Sequence, residues 1–419
     1  MHVVRALIKT QPNLIVSGKR AALDMEPEPR RAGTGVVVEE VKDAAAFAAL
    51  RPHWSELLRD SVSDNPFLTW EWQYTWWNHL RDSSALRLIV VRASDELVAI
   101  APLRLVTGPW HGFSRLEFLG TGLAGSDYLD LIVRRGWELE SITALAQYLE
   151  AQQLCLRFNH LSPASLAAQL GAALGTDGWI SAAGDDGACP IISLAGHTFD
   201  SYLATLGSSH RANVRRRIRA IGQQFDMRLD RVATHTERRQ ALSDLASWSE
   251  RRWKDAGGST AFITPAVRAF QDQVTARALE QGWLLMYVLR LNDEAAAVMY
   301  GFHYGRRFYF YQHGFDDRYK AQSLGLVLMG LTVRAVIDEG AREFDMLWGV
   351  EPYKFLWARE LSALQRIELF PRTIAGTLQR HAIEIRRSAG KLRRRFLFPS
   401  AVPNATATSD PCQVRRTIG

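Results

Sequence analysis

Two stretches carry residue types from which a binding site could be built. In the C-terminal third a strand-like run ends at His313, the loop Gly314-Phe315-Asp316-Asp317-Arg318-Tyr319-Lys320-Ala321-Gln322 follows, and Ser323-Leu324-Gly325 opens a helical pattern. A strand feeding a glycine-containing loop onto a helix start presents backbone N–H groups and the positive end of a helix dipole, which suit a pyrophosphate. Arg318 and Lys320 would add cationic contacts, although any strand–loop–helix joint can contain a glycine. The second stretch, Ser208 to Arg219, holds five arginines and no acid, among them Arg211 and Arg215. It reads either as a solvated helix face or as a cationic wall for a phosphorylated substrate, because guanidinium forks match phosphate oxygens.

The elements that must position these groups repeat. In the first half, Val36–Val41 is β-branched, Ala44–Leu58 has helical spacing, and Thr69 can cap a helix carrying Trp72, Trp76 and Trp77. Leu86–Arg92 and Leu97–Val106 form a hairpin signal. Tyr128–Val133 reads as a strand, Glu138–Glu150 as a helix, Leu154–Phe158 as a strand and Ser162–Leu174 as a helix ended by Gly175. In the second half, Phe225–Val232 reads as a strand. Thr236–Lys254 and Thr264–Gln281 are helices parted by Gly257-Gly258-Ser259, and Leu284–Leu291, Ala295–Tyr304 and Arg307–His313 make a meander. Leu324–Glu339 is helical, Glu343–Trp348 a strand and Leu364–Phe370 a last strand. Each half therefore reads as mixed α/β, with a mostly antiparallel sheet flanked by helices. The expected division is a leader at 1–34 without order, a first domain at 35–196, a basic linker helix at 197–224, a second domain at 225–371, an amphipathic helix at 372–398 and a disordered tail at 399–419.

Composition excludes several classes. With 419 residues, 47% hydrophobic and 23% charged, the chain is globular and long enough for two or three domains. No run approaches the ~20 apolar residues of a membrane span. Three cysteines, Cys155, Cys189 and Cys412, offer neither a disulfide framework nor metal-ligand spacing, and the first ten residues lack a secretory signal pattern. A cytoplasmic protein without a bound metal is expected. The net charge of +7 is not spread evenly. Between Pro371 and Gly419 ten Lys/Arg face two Asp/Glu, an excess of eight, so the other residues sum to −1. The basicity belongs to the tail, and sequence-specific DNA binding is not expected.

The sequence resembles the GNAT-related family of cellulose-biosynthesis-type acetyltransferases, akin to the Fem-type peptidyltransferases with paired GNAT domains. The likeness is carried by Asn65–Trp77, Ser126-Asp127-Tyr128-Leu129-Asp130, His210–Arg219, Tyr300-Gly301-Phe302 with Phe308–Tyr311, Tyr319–Gly325 and Gly349-Val350-Glu351-Pro352-Tyr353-Lys354-Phe355-Leu356-Trp357. Gln322-Ser323-Leu324-Gly325-Leu326 holds only part of the expected acetyl-CoA loop pattern. The resemblance implies two tandem GNAT-like domains with a donor gap between Phe308–His313 and Glu343–Trp348. It implies no permanently bound cofactor, with acetyl-CoA or another acyl-CoA as co-substrate against Tyr311, Gln312, Arg318, Lys320, Gln322, Ser323, Leu324 and Gly325.

On that reading an acceptor amine or hydroxyl attacks the acyl carbonyl directly, and no Gly-x-Ser-x-Gly turn suggests otherwise. His313 is a candidate base or a packed histidine. Asp345, amid apolar neighbours, is a buried salt bridge or a carboxylate orienting the acceptor. Tyr353 could protonate the leaving thiolate and Lys354 could hold a phosphate or an acceptor carboxylate, with Glu351 a second candidate base. Asp127 and Tyr128, a polar strand entrance, would face an acceptor cleft or cap a turn. Trp348 is a core aromatic or a surface for the acceptor. The first half, whose glycines at Pro109-Trp110-His111-Gly112 and Gly120–Gly125 precede no helix start, would have lost donor binding. The expected acceptor is a saccharide or envelope precursor. An aminoacyl-tRNA-dependent transferase, with the arginines of 211–219 on RNA phosphates, and a non-catalytic scaffold of a polysaccharide synthesis complex are the alternatives. Ile374, Leu378, Ala382, Ile385, Ala389, Leu392 and Phe396 recur at helical steps among Arg and Lys, which suits the protein body or an anionic membrane at the inner face of the plasma membrane.

Overall fold

The computed structural model describes residues 15–16, 35–108, 114–256 and 264–397. In chain order the first half holds β1 (Ile15–Val16), β2 (Val36–Val41), α1 (Ala44–Ala49), α2 (Arg51–Arg59), α3 (Trp70–Leu80), β3 (Ala85–Ala93), β4 (Glu96–Val106), β5 (Arg115–Phe118), β6 (Ile132–Val133), α4 (Glu138–Gln152), β7 (Cys155–Leu161), α5 (Leu166–Thr176) and β8 (Ile180–Ser193). Then come α6 (Phe199–Thr205), α7 (Ser208–Gln224), β9 (Met227–Arg231), α8 (His235–Ala256), α9 (Pro265–Glu280), β10 (Leu284–Leu291), β11 (Glu294–Tyr304) and β12 (Arg307–Phe315). The chain ends with α10 (Leu324–Asp338), β13 (Glu343–Asp345), β14 (Glu360–Phe370) and α11 (Ile374–Leu397).

One mixed, mostly antiparallel sheet spans both halves in the order β2-β3-β4-β5-β7-β14-β8-β13-β12-β11-β10-β9, with β1 beside β14 and β6 beside β4. Its parallel ladders are β5/β7, β12/β13 and β1/β14. Each half gives its last strand to the other. β8 lies between β14 and β13, and β14 lies between β7 and β8, paired from Glu360↔Ile191 to Phe370↔Ile180 with a register shift between Ala363 and Gln365. The expected boundaries at 196 and 225 therefore divide the sequence but not the sheet.

Local chemistry starts four of the helices, at Thr69 as the sequence suggested and at Ser165 rather than Ser162. Asp43, Thr69, Ser165 and Thr264 each accept a backbone N–H of the first helical turn. The face of α3 carries Trp72, wholly buried, with its ring edge-on to Phe67, Phe270, Phe302 and Tyr311, so that one indole joins the two halves. On the other sheet face, α7 and α10 close a second apolar layer. A Cβ on Gly330 would stand 3.2 Å from Val214 and 3.4 Å from Ile218, so the glycine lets the two helices approach.

Several expectations need correction. The linker helix of 197–224 is two helices, broken at Leu206-Gly207. The strand expected at Tyr128–Val133 shrinks to Ile132–Val133, because Asp130 turns inward to accept the N–H groups of Leu166 and Ala167 at 3.0 and 2.8 Å and the hydroxyl of Ser63 at 2.9 Å. Glu343–Trp348 is a strand only to Asp345. β5 and the long β8 had no counterpart in the sequence reading. Apart from Ile15–Val16, the leader at 1–34 lies outside the described residues, as do Pro109–Gly112, Gly257-Gly258-Ser259 and the tail at 399–419. Among the described residues no helix is long and apolar enough to cross a membrane, and no cluster of metal ligands occurs.

Candidate active site

Two neighbouring strands part in the second half. The β12/β13 ladder holds Arg307↔Glu343, Phe308↔Phe344 and Tyr309↔Asp345 and ends there, while β12 runs on to Phe315. Two local devices force the separation. On the other side of β12, the register with β11 steps from Gly301↔Phe310 to Tyr300↔Gln312, leaving Tyr311 as a bulged residue that bends its strand. The bulge demands glycine opposite it, since a Cβ on Gly301 would stand 2.1 Å from the Tyr309 carbonyl oxygen. Beyond Asp345 the chain turns away through left-handed Leu347 (φ 55°) and Gly349 (φ 123°). Its amides go to β8 instead, with Met346 N–H on Pro190 O at 2.9 Å and Gly349 N–H on Ala188 O at 3.2 Å. The result is a wedge between β12 and the 346–349 turn.

A buried polar brace holds that turn. Asp345, with no exposed surface, accepts from the Tyr128 hydroxyl at 2.8 Å, Arg307 Nη1 at 3.3 Å and the Leu347 N–H at 2.9 Å. Asp127 Oδ2 accepts the Trp348 N–H at 2.7 Å and faces Cys189 Sγ at 3.8 Å. Lys354, only 4% exposed, donates to the carbonyls of Leu347 and Trp348 at 3.2 and 2.9 Å and pairs with Glu351 at 3.1 Å. Asp345 is thus a buried ion-pair member, and the Lys354 ammonium is spent on the turn rather than offered to a ligand.

Burial dominates the electrostatics of the brace. It raises the Asp127 carboxyl from 3.8 to about 7 against the opposing Trp348 hydrogen bond, with Asp345 pushing the same way. Burial likewise raises Asp345, against Arg307, and pushes the Tyr128 and Cys189 protons well above their ordinary range. His160 joins from β7. Its ring Nδ1 lies 3.6 Å from Asp127 and 3.9 Å from Asp186, and burial lowers its pKa. Tyr128, His160 and Leu347 all have positive φ, at 58°, 54° and 55°, and Tyr128 N–H bonds His160 O at 3.1 Å. Strained backbone at three bulky residues converging on one place is what functional sites accumulate.

The rim is more open. His313 lies past the bulge on β12, opposite Met299, with its ring 6.5 Å from that of Tyr353 across the wedge. Burial, with Glu351 adding to it, pushes Tyr353 up to about 12, so the phenol keeps its proton at neutral pH. The Tyr311 hydroxyl reaches the Ala124 carbonyl at 2.7 Å and ties β12 to the 120–128 loop of the first half. Gln312 Oε1 accepts the His313 N–H at 3.3 Å. The Trp348 indole is exposed, stands edge-on to His160 and donates to Asp186 O at 2.8 Å. Leu123, Tyr353 and Leu356 are exposed as well, which gives these segments an apolar surface.

The helix start that follows is uncapped and free of acids. Ser323 is left-handed (φ 57°) and makes no side-chain cap, the first turn of α10 holds no acid, and Leu324 is buried beneath it. A Cβ on Gly325 would meet nothing nearer than Phe315 at 3.8 Å, so the mouth is open. Gln322 brings a buried side-chain oxygen that lacks a hydrogen bond. Arg318 turns the other way, onto Asp316 at 2.9 Å and Glu294 at 3.0 Å, and Lys320 is exposed. Arg211 and Arg215 serve α6, bonding Ala204 O at 3.1 Å and Asp200 at 2.8 Å. Sequence reasoning missed His160, Asp186, Cys189 and Arg307. The first three lie at bulged positions of β7 and in β8, and only Gly184-Asp185-Asp186-Gly187 hinted at a special backbone.

Comparison with known proteins places the wedge inside a recognised unit. Residues 208–355 match the family model described as an acetyltransferase (GNAT) domain. The fold is similar to that of FemX, at 11% identity and a TM-score of 0.55, over 76% of this chain and 95% of FemX. It is similar also to a conserved protein of unknown function from Bacteroides thetaiotaomicron, at 13% identity and a TM-score of 0.52, over 80% of this chain and all of that one. No curated protein sequence matches the chain.

Proposed function

We propose that the chain is an acyltransferase that moves an acyl group, acetyl in the simplest case, from a CoA thioester to an amine or hydroxyl of a saccharide-type envelope precursor. The observation that carries this reading is the parting of β12 from β13 after three residue pairs, beside an uncapped and acid-free helix start. A pyrophosphate suits the first turn of α10, where backbone N–H groups and the helix dipole attract it and Gly325 leaves room. The thioester arm then runs along β12 into the wedge. The acceptor heteroatom attacks the acyl carbon and gives its proton to His313. The tetrahedral centre collapses with cleavage of the carbon–sulfur bond, and Tyr353 protonates the departing thiolate; proton return from His313 to Tyr353 through solvent restores both groups. The brace of Asp127, Tyr128, Asp345 and Lys354 fixes the turn that carries Trp348 and Tyr353. The apolar Trp348 and Leu123 surfaces suit the face of a sugar ring or lipid-linked precursor.

Calorimetric titration of the full chain with acetyl-CoA tests the reading, and saturable one-to-one binding is expected. Saturation by bulk tRNA in place of acetyl-CoA would move the assignment to an aminoacyl-tRNA-dependent transferase acting through the α7 arginines. Binding of neither donor would leave only a scaffold.

A further inference from the structure

Over residues 374–385 the last helix presents two opposite faces, and the protein body covers only one of them. α11 packs on β14 through the side that carries buried Gly376 and Gln379 and half-buried Ile383. On the opposite side Ile374, Leu378 and Ile385 are 83, 57 and 69% exposed. At about 100° per residue these three fall within roughly 40° of arc, a ridge rather than scattered apolar residues. The sequence continues the spacing through Ala389, Leu392 and Phe396, and between Arg386 and Arg395 six Lys/Arg occur without an acid. From Pro371 onward the charge sums to +8, while the rest of the chain sums to −1.

We propose that α11 is a membrane-surface helix that lies flat on an anionic bilayer. The Ile374–Leu378–Ile385 ridge enters the boundary between headgroups and acyl chains, and the opposite face stays fastened to β14. An apolar ridge among cations is the pattern that such a surface rewards, since burial of the ridge and attraction of Lys/Arg to anionic lipid act together. A second copy of this chain is a poorer occupant, because self-association through the ridge would bring two strongly basic segments together. The helix is too polar to span the bilayer, so the association is peripheral and reversible.

The test is flotation of the full chain with vesicles of equimolar phosphatidylcholine and phosphatidylglycerol, beside vesicles of phosphatidylcholine alone, at low and high salt. The wild type should float with the anionic vesicles at low salt, float less at high salt, and stay behind with the neutral ones. The double variant Leu378→Glu/Ile385→Glu should lose about tenfold or more in partitioning, with an unchanged circular dichroism spectrum and melting temperature because both side chains are exposed. Absence of flotation at low salt, or equal flotation of the double variant, overturns the proposal. So does a wild-type dimer in sedimentation that the double variant converts to monomer, since the ridge would then serve a second copy.

Discussion

At the seam of the first half, β5 pairs with β7 from Arg115↔Cys155 to Glu117↔Arg157 and stops at Phe118, after which the Leu119 N–H returns to Pro102 O on β4 at 2.8 Å. At the seam of the second half, β12 pairs with β13 over an equal length and then continues for six residues without it. The helix starts differ in the same sense. α4 opens with Glu138 and Glu140, which neutralise its dipole and repel a phosphate, whereas α10 opens with Leu324-Gly325-Leu326 and no acid. Both seams hold a buried carboxylate. Glu117 pairs with Arg104 at 2.9 Å and Arg115 at 2.7 Å, as Asp345 pairs with Arg307. A buried ion pair at the seam is therefore a feature of the architecture. What sets the second seam apart is that one strand outruns its partner beside an acid-free helix start.

The largest effect should separate the halves by activity. His313→Ala is expected to lower turnover by about 10²–10⁴-fold, the usual worth of a positioned general base, with the fold intact by circular dichroism. Glu138→Ala at the other seam should leave turnover unchanged. Equal rates in wild type and His313→Ala would remove the base from the wedge. Next come the two buried carboxylates. Asp345→Ala and Glu117→Ala should each cost about 1–3 kcal/mol in denaturant unfolding, since the first leaves the buried Tyr128 hydroxyl and the Leu347 N–H without their acceptor and the second takes from buried Arg104 its buried partner. Of the two, only Asp345→Ala should also weaken acetyl-CoA binding in the residual folded protein, because it releases the 346–349 turn.

The smallest effect concerns pH. Folding raises Asp127 from 3.8 to about 7, so between those values the folded chain holds a proton that the unfolded chain has lost. Its contribution to stability is therefore complete below about pH 4 and is lost as pH rises through about 7. Asp127→Asn should remove that loss, so the melting temperature of the variant should gain on the wild type as pH climbs across this window. A gap that stays constant with pH would show that Asp127 is ionised in the folded protein throughout.

Legibility followed the range of the forces involved. The meander β10–β12 and the start of α10 could be read because alternation, two-residue turns and an apolar helical face are written within a few residues of one another. Asn292 and Asp293 even take the positive φ that their hairpin turn requires. β8 could not be read, since Gly184, Gly187 and Pro190 spoil its pattern, and it is a strand because β13 and β14 supply ladders on both flanks. The site divided along the same line. His313, Tyr353 and Trp348 reached the rim, and Asp127 and Tyr128 came to the wedge although 217 residues separate Tyr128 from its partner Asp345. Lys354 was legible as important but not in its role, because a loop lysine looks solvated until the two carbonyls it holds are known. Arg318 was readable as a cation but not as one already engaged by Asp316 and Glu294.

The sequence by itself determined the β10–β12 meander, the Thr69 helix start, the acid-free entry to α10 and the apolar ridge of α11 among its cations, because each depends on residues within a turn or two of one another. Tertiary structure alone decided that β8 and β14 change places, that the β12/β13 ladder stops at Tyr309, and that Asp127 and Tyr128 of the first half hold the strained turn after Asp345. Those outcomes rest on pairing and burial between segments far apart in the chain, and no local pattern encodes which distant strand will satisfy a given edge.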